Sequence, residues 1–377
     1  MNSKSAEAVK KEHVGEPLIR IAKRDNIPAW RAWGVRIIAV VLALLVNAVF
    51  IYSVTGLDPI AVYKVMWDGS FKSTYSFMTT LRDTATLLCI GVALAPAFKM
   101  RFWNIGGEGQ VLIGGLATAL VMIYLGDAMP SWMLIIVMFA ASVAAGALWA
   151  FIPAYFKAKW NTNETLFTLM MNYVAINLVE CLTNIWRGAK SSMGNINAAT
   201  QAGWFPKLFG YRFSLNIIIV LVLAVLMYLY LRYTKHGYEI SVIGESENTA
   251  KYVGINVKKV VIRTMLLSGA ICGIAGFITV AGKNMTISSE TAGGYGFTAI
   301  IVAWLAHFNT GYMALISFLL VFLEKGATQI ASAYKVLNDY ASSIVTGVIL
   351  FFILGSEFFV NYRLVFRKKA AKGGEQA

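Results

Sequence analysis

The residues best suited to chemistry lie close together in Phe102-Trp103-Asn104-Ile105-Gly106-Gly107-Glu108-Gly109-Gln110, which runs straight into Val111-Leu112-Ile113-Gly114-Gly115. Two amides, a carboxylate and five glycines stand where a long apolar helix begins. Carboxylates and broken helices are costly in lipid and are tolerated where they line a cavity inside protein. Asn104, Glu108 and Gln110 are therefore candidates for a translocation path. Glu108 has two readings. It lines or braces that path, or it caps a helix N-terminus, whose dipole favours negative charge. The glycines serve close helix packing first.

A second polar cluster, Asn161-Thr162-Asn163-Glu164, opens another apolar run and is followed by Thr168-Leu169-Met170-Met171-Asn172-Tyr173. Asn163 or Thr162 is the expected N-cap, with Glu164 in the first turn. Asn172 lies deeper, where an amide must find a partner. Glu324-Lys325 falls inside a later run. Adjacent side chains point about 100° apart on a helix, so each of these charges needs a separate partner or must snorkel. Arg82-Asp83 poses the same problem near the outer end of a run, where a wet interface is the expected setting.

Other chemistries find little support. Cys89, Cys181 and Cys272 each sit in a different apolar run, with no metal spacing and no disulfide framework. His13, His236 and His307 are scattered. Gly276 to Lys283 faintly resembles a phosphate loop, but its spacing is one residue too long and Asn284 replaces the hydroxyl that would hold magnesium. No cofactor or metal is therefore expected on this chain, and any ATP with its Mg belongs to another. A membrane-embedded enzyme is the weakest class, because no nucleophile–base set is visible.

These residues must be positioned by membrane helices. Of 377 residues, 58% are hydrophobic and only 14% charged, far from a soluble balance. Runs of about 18 apolar residues are spanning candidates. Roughly ten occur, near 35–55, 77–98, 105–125, 131–156, 164–185, 213–232, 260–281, 294–309, 311–331 and 340–360. The expected fold is an all-α polytopic membrane protein with both termini cytoplasmic. Residues 1–34 read as a retained cytoplasmic tail, too long and too acidic for a signal peptide. Residues 35–360 form the membrane domain, and 361–377 a basic cytoplasmic tail. The net charge of +14 falls mainly on segments such as Lys99, Arg101, Lys157, Lys159, Lys258, Lys259 and Arg367-Lys368-Lys369. That is the positive-inside pattern rather than a nucleic-acid footprint.

The halves repeat each other. Gly106-Gly107-Glu108-Gly109 and Gly293-Gly294-Tyr295-Gly296 both read Gly-Gly-x-Gly before an apolar helix. One opens the third run and the other the eighth, so an odd number of spans separates them and they enter from opposite sides. Two inverted five-helix repeats are expected, with the path at their interface. Tyr295 and Phe297 of the second copy either stack on a solute ring or pack between helices.

Two connections stand out. The longest cytoplasmic one, 234–258, contains a short amphipathic helix over Glu245–Val253, stopped by Gly254. The longest external one carries Arg187, Lys190, Lys207 and Arg212 and no acidic residue. Those cations steer an acidic partner or contact lipid headgroups. Trp204-Phe205-Pro206 is expected to form a turn against the bilayer surface.

Asn104-Ile105-Gly106-Gly107-Glu108-Gly109-Gln110 resembles the hallmark Asn-Ile-Gly-x-Glu-Gly-Gln of permease subunits of bacterial ABC importers for nucleosides and simple sugars, relatives of the branched-chain amino acid permeases. The run through Asn172-Tyr173 is similar to theirs. Gly244, Glu245, Ala250, Gly254 and Ile255 match their coupling segment, with Thr249-Ala250-Lys251 where Ala-Ala is frequent. The resemblance covers nearly the whole chain. It implies a multi-pass subunit of the bacterial plasma membrane, forming the path for a nucleoside or related simple sugar. It implies no ATPase site on this chain. The implied partners are a cytoplasmic ABC ATPase, a second permease in a heterodimer and an extracellular substrate-binding lipoprotein. It also puts Asn172 near the path. The rival class is a self-sufficient secondary transporter or channel, which intramembrane charge would suit equally.

Overall fold

The structure, a computed structural model, describes residues 19–24, 28–334 and 339–366. The apolar runs become helices because a spanning segment must satisfy its backbone internally. In chain order the elements are β1 Ile19–Lys23, α1 Ala29–Thr55, α2 Pro59–Phe71, α3 Thr74–Lys99, α4 Gly107–Leu125, α5 Ser131–Trp160, α6 Glu164–Arg187 and α7 Ser214–Tyr233. They continue with α8 Lys235–Glu245, α9 Glu247–Tyr252, α10 Val257–Ile278, a π-helical turn Thr279–Asn284, α11 Tyr295–Leu305, α12 Thr310–Ala333, α13 Asp339–Asn361 and β2 Tyr362–Phe366.

Among the described residues, eight helices are long and apolar enough to cross a membrane. Each of the ten expected runs holds a helix, but α11 has only 11 residues. At 1.5 Å per residue it covers about half of a hydrocarbon core roughly 30 Å thick. The run at 294–309 is thus a half-length helix preceded by irregular chain. α2, at 13 residues, was below the length sought in the sequence. The first span begins at Ala29, inside the expected 1–34 tail. Much of that tail, and Arg367-Lys368-Lys369 of the C-terminal one, lie outside the described residues.

The chain divides into two compact units. The first comprises residues up to Pro59 together with those from Ile344 onward. Here β1 pairs antiparallel with β2, Ile19 opposite Phe366 and Lys23 opposite Tyr362, a small sheet that an all-α reading did not anticipate. The Asn47 amide, buried in α1, donates to the Val345 carbonyl at 3.0 Å. Arg36 pairs with Glu357 at 2.7 Å.

The second unit, Ile60–Ser343, is centred on α10, which packs on α3, α4 and α5. Contact there is nearly backbone to backbone. A Cβ at Gly114 would strike Gly273, and one at Gly146 would strike the Gly269 carbonyl. Such approaches supply the dispersion contacts that hold helices together where no hydrophobic drive acts between them. Helix starts follow their caps. Ser73 Oγ accepts from the Ser76 N–H at 3.1 Å, and Asn163 Oδ1 from the Leu166 N–H at 3.2 Å. Asn163, not Thr162, is therefore the cap of α6.

Candidate functional site

The two Gly-Gly-x-Gly segments meet. Glu108, in the first turn of α4, is buried and directs its carboxylate at the start of α11. It accepts from the Gly294 N–H at 2.8 Å and the Gly296 N–H at 2.7 Å. Each helix start leaves backbone N–H groups without helical partners, and a carboxylate satisfies two of them here. Glu108 is thus a cap, but of the helix in the other half of the chain. The two helices leave this junction in opposite directions. α11 ends where Trp304 stacks on Trp103 at 5.3 Å and meets Phe98, beside the C-terminus of α3. α4 ends beside the connection between α6 and α7, where Asn197 Nδ2 donates to the Met122 carbonyl at 2.8 Å.

The first segment is braced in the same manner. Asn172 Oδ1 accepts from the Gly109 N–H at 2.9 Å, and its Nδ2 donates to the Ile105 carbonyl at 2.9 Å. Asn104 Oδ1 accepts from the Gly106 N–H at 3.0 Å and from Gln110 Nε2 at 3.2 Å, while its Nδ2 donates to Ser268 Oγ at 3.3 Å. Asn104, Gln110 and Asn172 are all buried. These amides hold the broken backbone together, which is what irregular chain at membrane depth requires.

Open polar space lies on the other side of the junction. A cavity of about 210 Å³ is lined by Thr86, Lys283, Glu290, Tyr295 and Glu324 among others. Tyr295 is buried and donates to Glu324 Oε2 at 3.0 Å. Phe297 points elsewhere, 43% exposed on the outer face of α11. Of the two aromatics, only Tyr295 lines this cavity.

Beside the cavity stands a cluster that sequence reasoning missed. Asp83 is buried and receives three cations. Arg82 donates to it through Nε at 2.8 Å and Nη2 at 2.9 Å, curling back along its own helix. Lys283 lies at 3.0 Å and Lys325 at 2.7 Å. Arg82 and Asp83 are not in a wet interface, and they do pair, because the long arginine side chain spans the angle between neighbours. Lys325 and Glu324 take separate partners, Asp83 and Tyr295. Lys283 comes from the π turn, a feature frequent at functional sites. The Ile278 carbonyl at its start accepts from Asn216 Nδ2 at 3.2 Å.

Residues 234–258 form two helices rather than one. α8 precedes the expected helix, and Ser246 breaks the chain by capping α9, its Oγ accepting from the Thr249 N–H at 3.2 Å. Ala250 is fully buried with Ile240 and Ile243 against Met100, Val260, Val261 and Met265. Ile255 packs against the same core. A Cβ at Gly244 would strike the Lys99 carbonyl, and Gly254 turns the chain at φ +80°. Glu245 is exposed, and Tyr252 projects, 92% exposed. A groove of about 530 Å³ beside the pair is lined by Arg101, Lys157, Glu164, Glu247 and Lys258. His236 is buried between Tyr230 and Thr264, at 2.8 and 3.1 Å. Burial, then the Arg263 charge, pushes its imidazole below the ordinary value, so it stays neutral at pH 7.

The connection between α6 and α7 folds inward. Phe205 is buried, meets Phe277 edge-on at 5.0 Å and donates its N–H to the Ala281 carbonyl at 3.1 Å. Trp204 Nε1 donates to the Ile196 carbonyl at 2.8 Å. The expected turn against the bilayer surface is replaced by packing on α10, because Phe205 has an aromatic partner there. Arg187, Lys190, Lys207 and Arg212 remain exposed. Lys207 and Arg212 edge a hollow of about 780 Å³.

The family described as branched-chain amino acid transport system / permease component matches residues 76–354. The chain is 30% identical over 324 residues to the guanosine ABC transporter permease protein NupP of Bacillus subtilis, covering 84% of this chain and 92% of that one. It is 28% identical to the glucose ABC transporter permease protein TsgB13 of Haloferax volcanii, over 92% of this chain and 93% of that one. The nucleoside ABC transporter permease protein NupB of Lactococcus lactis is 25% identical, over 90% and 95%. No solved structure matches. The buried polar junction, the apolar helices and these matches agree: the chain belongs to the branched-chain amino acid transport system permease family, as a multi-pass ABC transporter permease of the plasma membrane.

Proposed function

We propose that the chain forms the translocation path of an ATP-driven importer for a nucleoside or related simple sugar. The carrying observation is mechanical. The pair α8–α9 is seated in the same core as the start of α10. From there one continuous 28-residue rod, Val257–Asn284, reaches the Lys283–Asp83 pair and the external connection. A push on the exposed Tyr252 end has a rigid route to the cavity wall. Relatives named for guanosine, nucleosides and glucose support the solute class.

In this reading a cytoplasmic ABC ATPase, which holds the ATP and Mg, engages Glu245 and Tyr252. Gly244, Ala250, Gly254 and Ile255 shape the segment it moves. A second permease completes the membrane unit, and a binding lipoprotein delivers the solute. Asn104, Glu108, Gln110 and Asn172 brace the path rather than line it, whereas Tyr295 faces the cavity. ATP binding drives the cycle by favouring one state of the transporter. The opposite courses of α4 and α11 support two inverted repeats. The β1–β2 pairing supports both chain ends lying on one side, the cytoplasmic one. A self-sufficient transporter would need neither the seated helix pair nor its projecting tip.

The external cations are the docking site for the lipoprotein. Neutralising Arg187, Lys190, Lys207 and Arg212 together should slow docking at low salt and remove its salt dependence, while basal ATPase activity of the assembled transporter is spared. Docking that is unchanged and independent of salt would assign the loop to lipid headgroups.

A further inference from the structure

We propose that Phe209, at the tip of a tight hairpin between α6 and α7, is an anchor that enters an apolar pocket on an acidic extracellular protein. The inference rests on the importer reading, which puts this connection outside the membrane. To the cations that attract the binding protein it adds a residue that holds it once docked.

The carrying observation is a conformational misfit. Leu208 and Tyr211 bridge antiparallel, and the Tyr211 N–H donates to the Leu208 carbonyl at 3.0 Å. The two residues between them, Phe209 and Gly210, have φ +55° and +78°. That is the pattern of a type I′ turn, whose first central position is ordinarily Asn, Asp or Gly. A bulky residue there is an outlier, because a left-handed backbone brings Cβ close to the following carbonyl oxygen. Packing can offset this cost. Phe308 is also left-handed, but its ring meets Trp304 at 5.3 Å. Phe209 has no such compensation: its ring is 83% exposed, and nothing lies within 4 Å of where a Cβ on Gly210 would stand. The ring gives the free chain neither a good turn nor buried surface. Backbone strain of this kind is concentrated at ligand clamps and other functional sites.

The tip is held out on a rooted stalk. Phe205 before it and Phe213 after it are buried, Phe205 edge-on to Phe277 and Phe213 with the Arg82 guanidinium 4.5 Å from its ring centre. An aromatic fixed in advance loses little freedom on binding, and aromatics dominate the energetics of interfaces. Lys207 and Arg212 flank the hairpin, and residues 188–213 contain no Asp or Glu. The hollow of about 780 Å³ beside the tip is lined by Tyr75, Trp204 and Tyr211 together with these two cations. A projecting ring next to a hollow, both edged with positive charge, fits a shaped acidic protein surface. A bilayer accepts a phenyl ring on any backbone and gives no reason for a fixed left-handed one.

The test measures association and dissociation of the binding protein, freed of its lipid, on the assembled transporter in nanodiscs. Phe209→Asn gives the turn a residue type it favours, so the thermal unfolding midpoint should hold or rise. Dissociation should nevertheless quicken about tenfold or more, the size expected when an interface anchor is truncated, and association should keep its salt dependence. Phe209→Leu, which keeps apolar bulk, should retain most of the residence time. Unchanged dissociation with Phe209→Asn, or a lowered midpoint, overturns the proposal. If neutralising the four cations slows association while Phe209→Asn changes nothing, the anchor is wrong and the docking reading stands. A binding protein that does not dock on the unaltered transporter sinks both. A separate arm places a bimane label on Phe209→Cys with the exposed Cys181 changed to serine, Cys89 and Cys272 being buried. Emission should shift to the blue only when the binding protein is added. Blue emission before that addition assigns the tip to the bilayer and overturns the proposal.

Discussion

Replacing Glu108 with alanine is expected to abolish transport and lower the amount of folded chain in the membrane. The carboxylate accepts from both Gly294 and Gly296, at the point where two helix starts meet. Its loss strands the buried Gly296 N–H, at a cost of about 1–3 kcal/mol, and the part-buried Gly294 N–H at less. Glu108→Gln retains one acceptor oxygen and should fall between. Uptake per folded chain, with a thermal unfolding midpoint in detergent, checks this. Native uptake and an unchanged midpoint for Glu108→Ala would show that the cross-half contact carries nothing.

The second large effect is expected at the α8–α9 helix pair. Ala250→Arg forces a guanidinium into a fully buried position among Ile240, Ile243 and Met265. Overpacking alone costs about 1–3 kcal/mol, and α9 must leave its seat. Transport should fall at least tenfold while membrane insertion survives. Since this variant also disturbs packing, Tyr252→Ala separates the two effects. Tyr252 is 92% exposed, so its truncation should change stability by no more than about 0.5 kcal/mol. An aromatic anchor at an interface is commonly worth about 2 kcal/mol or more, so uptake should again drop more than tenfold. Normal ATP-driven uptake by Tyr252→Ala would remove the tip from the contact.

What could be read before the structure follows from what is local. The apolar runs were legible because composition alone marks a span. The Asn163 cap and the Gly254 stop were legible because capping chemistry lies within four residues. α8 keeps His236, Gly237, Ile240 and Ile243 buried at helical spacing, but its 11 residues mix charged and polar types and read as connection. The Asp83 cluster was not legible at all. Its cations arrive from positions 82, 283 and 325, and nothing near Asp83 announces the last two. Capping is one of two readings that the sequence leaves open for Glu108, and which helix it caps depends on contact between segments 186 residues apart. Phe205 was assigned to the bilayer surface because its partner Phe277 lies on a different span.

The most direct test is solute uptake into proteoliposomes containing this chain, its second permease and the partner ATPase, with the binding lipoprotein and guanosine outside. The account predicts accumulation only when hydrolysable ATP is supplied on the ATPase side, loss of it with Tyr252→Ala, and no ATP hydrolysis by this chain alone. Accumulation by this chain alone, driven by an ion gradient and indifferent to ATP, would contradict it.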